Sequence, residues 1–122
     1  MSLNDTPLTD AQLQRNTRAL SDPQRFAILE RIAAEHEVAC KQLVAEFPVT
    51  QATISHHLKE LVAAELIQSR RVGQCAMLSR CDEILQGYCR QLQERLLPAV
   101  APSEHAEPLP FENLSEIPPE CL

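Results

Sequence analysis

The stretch that most restricts what this chain can become is Val49-Thr50-Gln51-Ala52-Thr53-Ile54-Ser55-His56-His57-Leu58-Lys59-Glu60-Leu61-Val62. Ile54, Leu58, Leu61 and Val62 recur at i, i+4, i+7 and i+8, the spacing that gathers side chains on one side of an α-helix. At about 100° per residue, the opposite side carries Ala52, His56, Lys59 and Ala63, flanked by Thr53, Ser55 and Glu60. That outer face is short, polar and weakly basic. Thr50 stands where its hydroxyl can cap the helix, after the turn-like Phe47-Pro48-Val49.

Before the turn, Cys40, Leu43, Val44 and Phe47 fall at i, i+3, i+4 and i+7 and predict a first short helix. Cys40 thereby points toward the core, where a free cysteine acts as a small hydrophobe. Two short helices across a tight turn, the second with a hydrogen-bonding outer face, make the helix-turn-helix pattern of DNA readers. Any small helical hairpin shares that spacing, so the flanks decide. Downstream, Ile67–Arg71 and Cys75–Ser79 bracket Val72-Gly73-Gln74, which predicts a β-hairpin turning at Gly73. With Arg70, Arg71 and Gln74 at its tip, this hairpin reads as a wing beside the second helix. The predicted fold is mainly α with a small β-hairpin wing, a winged helix-turn-helix.

Upstream, residues 1–8 read as a loose arm, and Thr9 or Thr6 caps a helix to about Leu20, with Leu13, Thr17 and Leu20 along one side. Ser21-Asp22-Pro23 is a strong helix start, a capping Asp before Pro at the first helical position. Phe26, Leu29, Ile32 and Ala33, with Ile28 alongside, carry a core helix from Pro23 to about Glu35. After the wing, Leu85, Tyr88, Cys89, Leu92 and Leu96 form the stripe of a long helix over 82–97. The first and last helices each present a stripe without an evident partner. Pairing them across a two-fold axis predicts a homodimer, with Leu13, Thr17, Leu85, Tyr88, Cys89, Leu92 and Leu96 at the interface. Residues 9–97 are thus one domain, and 98–122, with six prolines and five glutamates, an extended and disordered tail.

Taken whole, a formal net charge of −6 argues against a nucleic-acid partner. The tail holds five acids and no Lys or Arg, which leaves twelve acids against eleven bases in the other 97 residues. From 51 to 80, Lys59, Arg70, Arg71 and Arg80 outnumber Glu60 and Glu65. Local sign, rather than net charge, governs contact with phosphates. No run approaches ~18 consecutive apolar residues, and the N-terminus lacks a basic segment followed by an apolar one. A reducing cytoplasm is the default, and five unevenly spaced cysteines do not form a disulfide framework. Two glycines in all, with no phosphate loop and no nucleophile–base–acid set, argue against an enzyme.

Three stretches together resemble the ArsR/SmtB family of winged-helix repressors. They are Ala19-Leu20-Ser21-Asp22-Pro23-Gln24-Arg25-Phe26-Ala27-Ile28-Leu29, the Thr53–Leu61 helix, and Ser69-Arg70-Arg71-Val72-Gly73-Gln74. The resemblance runs from about Leu13 to Leu97. It implies a dimeric repressor on a palindromic operator of double-stranded DNA, released when a ligand binds, often a thiophilic metal or metalloid. It places Gln51, Ala52, Thr53, Ser55, His56, His57 and Lys59, with wing residues Arg70, Arg71 and Gln74, at the DNA. Gln51 suits an adenine edge, neutral His56 can donate or accept, Ser55 reaches a phosphate or nearby base, and Ala52 offers only a methyl. His57 lies between the faces and reads better as a positioning residue, while Lys59, Arg70 and Arg71 suit phosphates.

Departures from the family limit what transfers. Where arsenic- and cadmium-responsive members carry Cys-Val-Cys, this chain has Ala39-Cys40-Lys41. Where zinc-responsive members have Asp-x-His and a later His-x-x-Glu/His, Asp82 is followed by Ile84, and Arg95 and Pro98 stand at the later positions. No metal is assigned. Glu65 replaces the usual Gly after the second motif helix, and a left-handed non-Gly residue costs on the order of 1 kcal/mol; the helix is therefore expected to run on. The remaining thiols, Cys75, Cys81, Cys89 and Cys121, are candidate sensors for arsenite, another soft metal ion or an oxidant. The alternatives are cysteines that sense nothing, and a winged helix that binds protein instead of DNA.

Overall fold

The computed structural model describes residues 8–97, so the first seven residues, the acidic tail and Cys121 lie outside the described residues. Five helices and three strands follow in the order α1 (Asp10–Leu20), α2 (Pro23–Ala33), β1 (Val38–Ala39), α3 (Cys40–Glu46), α4 (Gln51–Ala63), β2 (Ile67–Val72), β3 (Cys75–Arg80) and α5 (Asp82–Leu96). The helix starts follow from their caps. Thr9 and Gln12 form a capping box on α1, and Asp22 Oδ1 accepts from the Gln24 and Arg25 amides at 2.9 and 3.0 Å. Those amides, the Arg25 one first, hold the Asp22 carboxyl below its ordinary range. α2 ends two residues short of the expected Glu35.

Ile28, Leu29 and Ile32 of α2 meet Leu43 of α3, Ile54, Leu58 and Leu61 of α4, and Leu66, Ile67 and Leu78 of the hairpin in one core. Two residues expected on that core are exposed. Phe26 and Val62 are 44% and 42% exposed, because each stands roughly 90–110° around its helix from the middle of the stripe that is buried. A set of apolar residues at near-helical spacing can be wider than the core it meets.

The sheet has three strands rather than the hairpin alone, in the order β1-β3-β2, all antiparallel. β1 has only two residues, Val38 and Ala39, paired with Leu78 and Met77, and a two-residue strand leaves no alternation to read. The hairpin turns through Gly73-Gln74, with Gly73 at φ +62°, the first-position requirement of a type II′ turn.

Glu65 takes the left-handed conformation, φ +62°, and α4 does not run on. Its amide bonds Val62 O at 2.9 Å and the Leu66 amide bonds Leu61 O at 3.0 Å, the pair of bonds that defines a Schellman stop. Buried Leu66 anchors the chain beyond the stop, and Glu65 Oε2 accepts from Gln12 Nε2 at 2.9 Å. These contacts offset a strain of about 1 kcal/mol.

α1 has a partner within the chain. Leu8, Leu13 and Tyr88 form a second buried cluster between α1 and α5, and Thr17 Oγ1 lies 2.8 Å from the Tyr88 hydroxyl. Leu8 is thus part of the fold rather than of a loose arm; it fits over Gly87, where a Cβ would come within 3.4 Å of it. Leu13 and Tyr88 are buried in this cluster, Leu92 packs partly against them, and Thr17 stays exposed apart from its hydroxyl contact with Tyr88. Leu85, Cys89, Leu96 and Leu97 keep exposed or half-exposed surface on α5. Asn16, fully buried, donates to Ala64 O at 2.6 Å and fastens α1 to the end of α4.

Because Glu65 is strained, Glu65→Gly should stabilise the domain by a few tenths to about 1 kcal/mol, net of the lost Gln12 bond. Urea unfolding measures it, and a loss of stability would show that the Gln12–Glu65 contact outweighs the strain.

Candidate nucleic-acid interface

Thr50 caps α4 through its hydroxyl, 3.1 Å from the Thr53 amide, after a tight turn in which the Val49 amide bonds Phe47 O around Pro48. Thr53 spends its own hydroxyl on that cap, 2.9 Å from Thr50 Oγ1, and is half-buried. With Ile54, Leu58 and Leu61 buried, the α4 face left in solvent carries Gln51, Ala52, His56, Lys59 and Ala63, with Ser55 half-exposed at one margin.

His57 is not on that face. It is 5% exposed, and both ring nitrogens are occupied: Nδ1 accepts from Arg25 Nε at 3.3 Å, and Nε2 lies 3.0 Å from Gln24 Oε1. Arginine can only donate and the Gln oxygen only accepts, so the ring is neutral with its proton on Nε2. Burial is the main reason its pKa is lowered. His57 sits about 50° from the centre of the buried stripe, while adjacent His56 falls on the outer face. Periodicity had placed it at a boundary, and the Gln24-Arg25 pair of α2 draws it inside.

The two wing arginines part company. β-strand alternation sends Arg70 and Arg71 to opposite sheet faces. Arg70 reaches across β3 to Glu37 in a two-pronged pair, Nη2–Oε1 2.7 Å and Nε–Oε2 3.0 Å. That contact raises the Arg70 pKa and holds Glu37 below its ordinary range. Arg71 faces α4. It lines a cleft of about 510 Å³ with Ser55, Lys59 and Val62, and a second of about 290 Å³ with Gln51, Lys41, Gln74, Cys40 and Cys75.

Of the four described cysteines, all free, Cys40 and Cys75 share that smaller cleft. Cys40 also packs partly on the core, as its spacing implied, but it has an open side as well. Cys81 sits at the α5 N-cap with Sγ accepting from Gln68 Nε2 at 3.3 Å, and Cys89 is exposed on α5. Among the described residues no three His, Cys, Asp or Glu side chains are grouped to hold a metal ion. No described helix is long and apolar enough to cross a membrane.

Comparison with known proteins agrees with this geometry. A family model described as a helix-turn-helix domain matches residues 20–70. The arsenical resistance operon repressor of Staphylococcus xylosus is 36% identical over 74 residues, 61% of this chain and 70% of that protein. The transcriptional repressor SdpR of Bacillus subtilis is 33% identical over 69 residues, 57% of this chain and 76% of the relative. Among solved structures, an ArsR-like transcriptional regulator from Rhodococcus sp. RHA1 superposes with a TM-score of 0.66 at 28% identity, over 71% of this chain and 81% of the other.

Because His57 is buried neutral, the sign of its pH effect is fixed. Above its ordinary pKa of 6.5 its contribution to stability is complete; below it the unfolded chain binds a proton that folded His57 resists, and stability falls until the lowered folded pKa is passed. Thermal midpoints between pH 7.5 and 5.5 should therefore drop more for the natural protein than for His57→Gln, whose amide can keep both partners without titrating.

Proposed function

The chain belongs to the ArsR family of winged helix-turn-helix transcriptional regulators, and we propose that it binds a palindromic DNA operator as a homodimeric repressor rather than acting as an enzyme. The observation that carries this reading is the arrangement of α4. One face is fixed in the core, and the other presents Gln51, Ala52, His56 and Lys59 beside Arg71 of the wing. A B-DNA major groove, about 12 Å wide, admits one helix, so that face meets base edges. Gln51 and His56 read bases, Ala52 adds a methyl contact, and Ser55, Lys59, Gln74 and Arg71 hold the backbone. Thr53 and His57 act from within, the first through the cap and the second by setting the pitch of α4 on α2. Arg70 supports the wing from behind through Glu37, and its contribution at the DNA is secondary.

The dimer surface is drawn from the exposed sides of α1 and α5. Thr17, Leu85, Cys89, Leu96 and Leu97 offer exposed or half-exposed surface to a second copy, while buried Leu13 and Tyr88 stiffen the helix pair that carries them. Dimerisation through these helices sets two α4 helices on one side at a fixed spacing, which a palindrome matches.

For release, the cleft holding Cys40 and Cys75 offers a direct link to the DNA face. Gln51 and Arg71 line the same walls, so a thiol-reactive inducer seated there displaces two groups the DNA needs. Cys81 and Cys89 lie along α5, about 12 Å apart at 1.5 Å per residue, too far to share one ion within a chain. A soft metalloid such as arsenite, or an oxidant, is the class of inducer that two thiols suit.

Lys59→Ala and Arg71→Ala should each weaken binding to DNA from upstream of the gene, lowering the slope of log affinity against log salt by about 1, while Arg70→Ala changes it much less. Gel shifts over a salt series read this out. Equal losses at Arg70 and Arg71 would contradict the assignment of faces. With arsenite added, the natural protein should leave the fragment and Cys75→Ser should stay bound.

A further inference from the structure

Ten of the eleven cationic side chains fall into two groups. Arg31, Arg70, Arg80 and Arg95 are each held by a carboxylate: Arg31 by Glu35 and Glu46, Arg70 by Glu37, Arg80 by Asp82 and Arg95 by Asp10. Among the described residues Arg15, Arg18, Arg25, Lys41, Lys59 and Arg71 have no carboxylate in ion-pair contact. All six line clefts that include residues of α4. Three are on the wing side or the outer face. The other three, Arg15, Arg18 and Arg25, converge in a cleft of about 310 Å³ between α1, the start of α2 and the far flank of α4.

Two of these guanidiniums are held in place by neutral partners. Arg25 donates through Nε to His57 and through Nη1 to Ala19 O, and Arg15 Nη1 donates to Ala63 O at 3.3 Å. Their remaining N–H groups stay available to an acceptor, since an arginine carries five. Arg18 is exposed at the same rim. Glu60 is the one acid lining the cleft; it limits mutual repulsion of the three cations and leaves an excess of positive charge.

Position supplies the occupant. Turning about 100° per residue, Ser55 and Val62 lie on the wing flank of α4 and Glu60 on the opposite flank, with Lys59 between. A helix in the major groove has a phosphate ridge on each side of it. The wing stands over one ridge, and the arginine cleft lies where the other passes. We propose that Arg15, Arg18 and Arg25 form an oxyanion site for a backbone phosphate of the DNA strand across the groove from the wing. This rests on α4 as the groove-reading helix. It adds α1 and the α1–α2 corner to the DNA surface, so both ridges are gripped rather than one.

The test uses the full chain and its upstream DNA fragment. Arg15 and Arg18 are exposed, so both are replaced, while Arg25 is left in place because His57 depends on it. Arg15→Ala/Arg18→Ala should weaken binding about tenfold near 0.1 M salt and lower the salt slope by about 1–2, with Arg15→Lys/Arg18→Lys restoring most of both. Glu60→Gln should tighten binding. Unchanged affinity and slope in the double Ala variant, while Lys59→Ala and Arg71→Ala still weaken binding, would overturn the cleft and leave the groove reading intact. Loss of effect in all of these variants would overturn the groove reading itself. Calorimetric titration of the free protein with inorganic phosphate separates the remaining source. Saturable binding abolished by the double Ala variant, together with an unchanged DNA salt slope, would give the cleft to a free anion and refute the backbone contact.

Discussion

The burial of one face of α4 is the constraint on which the rest of the structure depends. Ile54, Leu58 and Leu61 enter the core fully or nearly so, and each contributes on the order of 1.5–3 kcal/mol of apolar burial. Once they are fixed, the helix cannot rotate, and the residues about 180° away are committed to solvent. Every other contact around α4 refines that orientation. Thr50 sets its start, Glu65 its stop, Asn16 ties α1 to its end, and His57 fixes its tilt against α2. The polar outer face is what remains after the core has been satisfied, and it is held rigidly enough to be read against another surface.

Electrostatics follows from the same placement. Carboxylates neutralise arginines where they fasten one element to another: Arg31 between α2 and α3, Arg70 across the sheet, and Arg80 from β3 to Asp82, with a further bond to Ala33 O at the end of α2. Around α4 the cations are left without such partners. A chain with a net charge of −6 therefore carries unpaired cations beside α4, because five of its carboxylates are paired with arginines elsewhere and five more belong to the tail.

Much of this was legible in the residues. Asp22-Pro23, Thr50 and Gly73 announce their elements because capping and turn chemistry are local, decided within three or four residues. The outer face of α4 was legible because three apolar residues fix its phase. What escaped the sequence depends on distant partners. The strand at Val38-Ala39 exists only through pairing with β3. Glu65 accepts a left-handed backbone because Leu66 and Gln12 hold it there. Arg70 and Arg71 look equivalent as neighbours, yet alternation gives one to Glu37 and the other to the α4 side. His57 is drawn inward by Arg25, 32 positions earlier in the chain. The apolar stripe of α1 read as lacking a partner within the chain, whereas Leu13 packs on Tyr88 of α5 and Thr17 stays exposed, and Cys40, which read as pointing to the core, also lines a cleft with Cys75.

The central claim is that the outer face of α4 reads a major groove from two copies related by a two-fold axis. Methylation interference with dimethyl sulfate tests it most directly, since the reagent marks guanine N7 in the major groove and adenine N3 in the minor groove. N7 methylation should block binding in two half-sites about one helical turn, or a whole multiple of it, apart. Interference confined to adenine N3, or to a single half-site, would contradict it.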